Sequence, residues 1–202
     1  MTRAAHERYG DLMFRIRQRF ELARTVQVDG KGSFTRSEVI AFQLRKIIEG
    51  TAFGCLIAID HGLKHVPRDA VGQWAADQIF RSLAKKNMKT VPSPSIIRKA
   101  TEEEQAAHQA TIVVQGTPSV RLTAEELIDI YQRTHIWLHE LNPFVRTPED
   151  LLNVQENVLW DDLDRVWRFL ERHFISIRGE GFFCTLKDKV DEQVKVLPLT
   201  KV

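Results

Sequence analysis

The feature that most constrains the fold is a long segment, residues 36–60, whose apolar side chains recur at helical spacing. These side chains are Ile40, Leu44, Ile47, Ile48, Cys55, Leu56 and Ile59. Apolar residues three and four apart share one face of a helix. Thr35 and Glu38 form a capping-box pattern that predicts the helix start, and Gly62 and Pro67 mark its end. The segment therefore predicts a long helix with a broad apolar face.

Four other segments have helical patterns. They are residues 5–25, 69–86, 124–141 and about 147–173. The third follows a second capping-box pattern at 123–126. The fourth opens with Thr-Pro-Glu-Asp, which supplies an N-cap, a proline at the first helical position and two acids in the first turn. The fold class predicted is mainly α, a helical bundle.

The two remaining segments are not regular helices. Residues 87–122 contain several prolines and predict a long arm that packs on the bundle or holds short elements such as 111–115. The tail switches to short alternating runs around Gly179–Gly181, which predict a β-hairpin with room for a third strand. We expect a helical domain over 1–175 and a small C-terminal β appendage over 176–202.

Composition narrows the class of protein. The longest apolar run, residues 51–59, is far shorter than the roughly 20 residues that span a bilayer. Only two cysteines occur, Cys55 and Cys184, so the chain has neither a disulfide framework nor a four-cysteine zinc site. We expect a cytoplasmic protein with reduced thiols and no association with membranes.

Charge is unevenly distributed, although the net charge is only +2. Residues 64–100 carry eight Lys/Arg and two Asp/Glu, whereas residues 101–170 carry five and thirteen. This segregation indicates either a basic face for a polyanion or helices that neutralise one another. The basic runs are not dense and lack interleaved aromatic residues, which favours the second interpretation.

The segment with the most candidate functional side chains is residues 131–144, YQRTHIWLHELNPF. Pro143 disfavours helical geometry at Asn142, which places His139 in the last predicted turn. There an imidazolium interacts favourably with the helix dipole and can reach free carbonyl groups. Arg133 and His139 are six residues apart and do not share a helix face. On these grounds alone, His139 and Asn142 can simply form a helix end.

A metal site is a weaker interpretation of the same segment. His135 and His139 have the i, i+4 spacing of two ligands on one helix face. Trp137 lies between them, the glutamate of helical zinc proteases is missing, and no third ligand is evident. We therefore predict neither a metal nor a cofactor.

The pattern Arg-x5-His, from Arg133 to His139, resembles the motif of HEPN domains (higher eukaryotes and prokaryotes nucleotide-binding). The surrounding sequences "LRKIIE" at 44–49 and "LHELNPF" at 138–144 resemble, in the same order, a bacterial group of HEPN-like proteins. The resemblance covers about residues 36–145. It implies a HEPN-like helical bundle that forms a homodimer, with two Arg/His sets in one cleft.

The resemblance also implies an activity, metal-independent endoribonuclease cleavage that leaves 2′,3′-cyclic phosphate ends. Family members of this kind include toxins and defence effectors, for which an antitoxin protein is the expected partner and RNA or a nucleotide the ligand. Arg133 and His139 would be catalytic: His139 would transfer protons and Arg133 would hold the phosphate. The alternative is a non-catalytic HEPN-like module that binds nucleotide, RNA or a partner protein. Thr134 follows the arginine, where active members often have Asn, Asp or His.

Four further residues are assigned to substrate binding: Arg45, Glu49, His135 and Asn142. Arg45 and Glu49 are spaced i, i+4, which is also the spacing of an ordinary helix ion pair. In the functional interpretation, Glu49 orients Arg133 or His139 and Arg45 contacts phosphate. The four tryptophans are expected to be core or dimer contacts, with base stacking as the alternative.

Overall fold

Two long helices, α1 (Ala5–Val28) and α2 (Phe34–Leu63), pack against each other along their length. They belong to a computed structural model that describes residues 4–28, 34–88, 90–139 and 149–200. The predicted apolar face of α2 is buried, including Ile40, Leu44 and Ile59. A methyl group on Gly50 would lie only 3.0 Å from Ile16, so the glycine lets α1 approach closely.

The start of α2 differs from the prediction. Phe34 and Thr35 are already helical, so Thr35 is not the N-cap and the capping box expected at 35–38 is wrong. The following segment also differs, because a single helix was expected over 69–86. It contains a short helix α3 (Arg68–Val71) and a longer helix α4 (Ala76–Lys85). The chain leaves helical geometry between Gly72 and Ala75.

The sheet is larger than the predicted appendage. Its five antiparallel strands lie in the order β2-β1-β3-β4-β5. They are β1 (Ser93–Lys99), β2 (Ile112–Gly116), β3 (Arg172–Ile177), β4 (Glu180–Thr185) and β5 (Lys195–Thr200). The hairpin β3–β4 and the third strand β5 confirm the strands expected in the tail. The segment 87–122 adds β1, a short helix α5 (Glu102–His108) and β2.

The sheet packs on the two long helices. Tyr9 of α1 stacks on Phe182 of β4 with ring centroids 5.2 Å apart and contacts His173 of β3. One cluster of buried residues includes side chains from α1, α2, β3 and β4. Helices and sheet therefore share a hydrophobic core.

Two helices remain, α6 (Ala124–Arg133) and α7 (Glu149–Leu170). A 3₁₀ turn at Thr134–Trp137 follows α6 directly. Residues 147–148, the first two of the predicted start signal of the last helix, lie outside the described residues. The described part of the chain is thus mainly α, with seven α-helices and one antiparallel sheet. No helix within it has the length and apolarity that crossing a membrane requires.

Candidate functional site

The capping box at the start of α6 confirms the prediction from 123–126. The Thr123 hydroxyl accepts a hydrogen bond from the backbone N–H of Glu126 at 3.1 Å, and the Glu126 carboxylate accepts one from the N–H of Thr123 at 2.9 Å. Each contact pairs a backbone donor that the helix itself leaves free. The start of the helix that carries the candidate residues is therefore fixed locally.

The end of the same helix differs from the prediction. α6 ends at Arg133, whereas the sequence pattern predicted a helix to residue 141. The Thr134 hydroxyl donates to the carbonyl oxygen of Tyr131 at 2.7 Å, and Trp137 is buried in the 3₁₀ turn. His139 lies six residues beyond the α-helix and is exposed. The expected interaction with a helix dipole is therefore wrong, and Asn142 lies outside the described residues.

Arg133 is bound to its own chain. Its Nε and Nη2 atoms donate to the two carboxylate oxygens of Asp162 in α7, each at 2.8 Å. Asp162 is only 3% exposed, whereas the Arg133 side chain is 40% exposed. Arg165 approaches the same carboxylate at 3.5 Å. Burial raises the pKa of Asp162, and the two arginines oppose that rise.

His135 and His139 lie together on another side of this segment. Their exposed rings are 6.0 Å apart between centroids, and the His135 ring is 6.2 Å from that of Tyr131. Within this chain the structure therefore brings His139 to His135. Arg133 contacts α7 instead, in agreement with the argument that Arg133 and His139 do not share a face.

Arg45 lies against the same group. Its guanidinium carbon is 3.9 Å from the centre of the Tyr131 ring, a cation–π contact, and its Nε is 3.4 Å from Glu49. The Nη1 atom of Arg45 is buried and has no hydrogen-bond partner within the described ranges. We call Arg45, Glu49, Tyr131, His135 and His139 the histidine cluster.

Glu49 has a different role from the one expected. Its carboxylate accepts from Tyr131 Oη at 3.2 Å and from Lys46 Nζ at 2.6 Å. Within this chain Glu49 therefore orients Tyr131, not Arg133 or His139. The ordinary i, i+4 ion pair with Arg45 is present as well.

The surroundings of His135 favour its neutral form. Burial lowers the pKa of His135, and the charges of Arg45 and His139 lower it further, while the carboxylate of Asp77 in α4 partly opposes them. A neutral imidazole has one nitrogen free to accept a proton. His135 is therefore suited to act as a base at neutral pH.

Sequence reasoning did not include two of the residues that organise this region, Tyr131 and Asp162. Tyr131 is four residues before His135, so helical spacing was a usable signal. Asp162 is 29 residues from Arg133, and nothing in the local sequence pairs them.

Metal ligation has no support in this geometry. Across the ranges the structure describes, no three His, Cys, Asp or Glu side chains are grouped so as to hold a metal ion. His135 and His139 thus remain a pair without a third ligand among the described residues.

Compared with family models, curated proteins and solved structures, the chain gives no significant match.

Proposed function

We propose that this protein is a metal-independent, cytoplasmic endoribonuclease of the HEPN type, with His135 and His139 as its proton-transfer groups. The observation that carries the proposal is the pair of exposed imidazole rings 6.0 Å apart beside Arg45. Two imidazoles at this separation can reach two oxygens on opposite sides of one phosphodiester. The sequence resemblance to HEPN domains supports the same reaction.

The reaction is an internal transesterification. One imidazole removes the proton from a ribose 2′-OH, and the 2′-oxygen forms a new bond to phosphorus. The bond from phosphorus to the 5′-oxygen breaks, and that oxygen takes a proton from the second imidazole, which is protonated at the start. The products are a 2′,3′-cyclic phosphate and a free 5′-OH, and the step requires no metal.

We assign the role of base to His135, because burial and the charge of Arg45 lower its pKa, and the role of acid to His139. Arg45, whose charge acts on His135, stabilises charge that develops on the phosphate oxygens. We expect cleavage to fall below neutral pH as His135 becomes protonated.

Arg133 takes part if a second copy of the chain supplies it. Asp162 occupies Nε and Nη2 of Arg133, which leaves Nη1 as a donor on a side chain that is 40% exposed. A homodimer of the kind that HEPN domains form would bring this donor toward His139 of the other copy. The pair with Asp162 would then hold the guanidinium in one orientation.

A second function is favoured by a different observation. The bidentate hydrogen bond from Arg133 to buried Asp162 gives this arginine a structural role that does not depend on catalysis. This favours a non-catalytic HEPN-like module that binds RNA, a nucleotide or a partner protein such as an antitoxin. The same histidine cluster would then bind phosphate without cleaving it.

The experiment is incubation of total RNA with purified protein in EDTA, with the ends of the fragments analysed. We expect wild type to release 2′,3′-cyclic phosphate ends, and His139→Ala and His135→Ala each to reduce the rate at least about 100-fold, the lower range for one acid–base group. His65→Ala, which removes another exposed imidazole, is the matched control and should cleave like wild type. Equal cleavage by wild type and His139→Ala contradicts the catalytic role. Binding of RNA by both without cleavage favours the module.

A further inference from the structure

Three arginines line one small cavity between α6, α7 and the segment that leads into α6. The cavity has a volume of about 260 Å³, and its walls include Arg121, Arg165 and Arg168. Arg165 and Arg168 belong to α7, while Arg121 directly follows a 3₁₀ turn (Pro118–Val120) that packs on α7. None of the described lining residues belongs to the histidine cluster, so this cavity is not part of the proposed catalytic site.

The walls of this cavity carry an excess of positive charge. Arg165 and Arg168 are three residues apart and share one face of α7, where like charges repel each other. Arg121 adds a third positive charge from the opposite wall. Glu126 of α6 is the one acidic side chain among the described lining residues. A cavity lined in this way favours an anion as its occupant.

The acidic side chains near the two α7 arginines use only part of their hydrogen-bonding capacity. Arg165 donates to Glu126 at 3.0 Å and reaches Asp162 at 3.5 Å. Arg168 donates to Asp164, its neighbour one turn earlier in α7. Each guanidinium group has five N–H donors. Within the described residues, most donors of both side chains are therefore left for a ligand.

Arg121 has its whole guanidinium group available. In the part of the chain that the structure describes, no ion pair or hydrogen bond involves this side chain, which is exposed. Its backbone is nevertheless held, because its N–H donates to the carbonyl oxygen of Pro118 at 3.1 Å. The 3₁₀ turn therefore fixes where Arg121 begins, and its charge is not neutralised by a described residue.

We propose that this cavity binds a phosphate monoester group through Arg121, Arg165 and Arg168, with the Ser119 hydroxyl as a further donor. A monoester has three free oxygens and a charge close to −2 at neutral pH, and arginine binds such oxygens in pairs. A carboxylate or a phosphodiester has only two free oxygens and one negative charge, which would leave at least one arginine without a partner. The inference goes beyond the proposed function, since it needs no residue of the histidine cluster.

The size of the cavity limits what enters it. It is much larger than the roughly 30 Å³ that one water molecule occupies. It is also slightly smaller than the roughly 300 Å³ at which pockets for drug-sized ligands begin. The occupant is therefore the phosphate group itself, either free or at the end of a larger molecule whose remainder lies in solvent.

The first test measures thermal unfolding with inorganic phosphate as the probe and sodium chloride at equal ionic strength as the reference. Phosphate at ten times its Kd should raise the Tm of wild type by about 3–6 °C. Arg121→Gln should weaken phosphate binding about 10- to 150-fold, the range for loss of one hydrogen bond to a charged group. At the same phosphate concentration its Tm should then rise by about 2 °C or less.

Three controls separate binding from folding. Without phosphate, Arg121→Gln should unfold at the Tm of wild type, because its guanidinium has no partner among the described residues. Arg121→Lys keeps the charge but loses the paired donors, so it should recover part of the phosphate effect. Arg15→Gln removes another exposed arginine, from α1, and should respond to phosphate like wild type.

A second test distinguishes the molecule that carries the phosphate. Ten-nucleotide RNAs with a 5′-phosphate and with a 5′-hydroxyl are compared in proteins that carry His139→Ala, which prevents the proposed cleavage. If the 5′-phosphate increases affinity and Arg121→Gln removes the increase, an RNA end is the source. If the two RNAs bind equally and inorganic phosphate still protects wild type more than Arg121→Gln, the source is a small phosphate. Both results support the site.

The remaining outcomes overturn the proposal. Equal stabilisation by phosphate and by chloride would show screening of surface charge in place of a site. An equal response of wild type and Arg121→Gln to phosphate would remove the cavity from the explanation. Equal weakening of both RNAs by Arg121→Gln, without protection by phosphate, would assign Arg121 to the phosphodiester backbone. Each of these results leaves the proposed nuclease intact, because its test is cleavage that depends on His139.

Discussion

His173 makes folding stability sensitive to pH in a way that the structure determines. Its ring is fully buried, its Nδ1 lies 2.8 Å from the carbonyl oxygen of Leu170, and its Nε2 lies 2.6 Å from the hydroxyl of Tyr9. A carbonyl only accepts, so Nδ1 carries the hydrogen and Nε2 accepts from Tyr9. A proton added at Nε2 would remove that acceptor and create a buried charge.

The magnitude follows from the two pKa values. Burial lowers the pKa of His173 from 6.5 to about 4 in the folded protein, although the hydrogen bond to Leu170 opposes this. The unfolded chain therefore binds the proton more readily, and this contribution to stability is complete above pH 6.5 and is lost as pH falls. Linkage gives a loss of about 2 kcal/mol between pH 7 and pH 5. At 1.36 kcal/mol for each tenfold difference in proton affinity, the limit well below pH 4 is about 3.4 kcal/mol.

Urea unfolding at pH 7 and pH 5 measures this loss, with His173→Gln as the comparison. The glutamine amide can donate to Leu170 and accept from Tyr9 but does not titrate, so its free energy of unfolding should fall by about 2 kcal/mol less than that of wild type over this range. His108→Gln removes an exposed imidazole and should behave like wild type. Identical pH dependence of wild type and His173→Gln would refute the reasoning. So would a titration of the His173 ring by NMR with a midpoint near 6.5, a measurement that needs no variant.

Three substitutions and one matched control, Gly72→Ala, test local packing and capping. Asp162→Asn removes the buried charge that two arginines share and should lower the free energy of unfolding by about 2 kcal/mol in urea titrations. Gly181→Ala places a methyl carbon 2.2 Å from the carbonyl oxygen of Ile175, and should cost about 1–3 kcal/mol in the same assay, whereas Gly72→Ala meets nothing within 4 Å and should cost almost nothing. Thr123→Ala removes half of a capping box and should lower stability by about 1 kcal/mol, visible as a lower Tm by calorimetry.

Local sequence patterns correctly predicted the helices and strands whose residue spacing repeats within a short stretch of chain. The apolar spacing of α1 and α2 continues over many turns, so both helices were located within a few residues. The capping box at Thr123 is also local, since both partners lie within four residues. The hairpin β3–β4 follows from alternation around Gly179, which has a positive φ of 86°.

The strands of the 87–122 segment were harder to predict. β1 contains Pro94 and two basic residues, which is not the pattern of an interior strand. Its pairing with β3 joins Ser93 to Phe174, and no local signal reports a contact between residues so far apart. The fold class was therefore correct in being mainly helical, while the size of the sheet depended on tertiary pairing.

The same difference between local sequence patterns and long-range contacts applies to the candidate site. The motif Arg133–His139 is a pattern along the chain, but the contacts that define each side chain lie across the fold. Arg133 is oriented by Asp162, 29 residues away, and Tyr131 by Glu49, 82 residues away. The motif therefore groups Arg133 with His139, whereas the fold pairs Arg133 with Asp162 and places the rings of His139 and His135 together.

The early end of α6 decides what this segment can do. Had the α-helix continued to residue 141, His139 would have faced its last turn and could have capped its own carbonyl groups. The chain instead tightens into a 3₁₀ turn after Arg133, which buries Trp137 and leaves His139 exposed next to His135. Among the described residues, this imidazole neither caps a helix nor fills the core, which is the arrangement that the proposed catalytic role requires. This local change in backbone geometry is therefore what favours a site over a helix end.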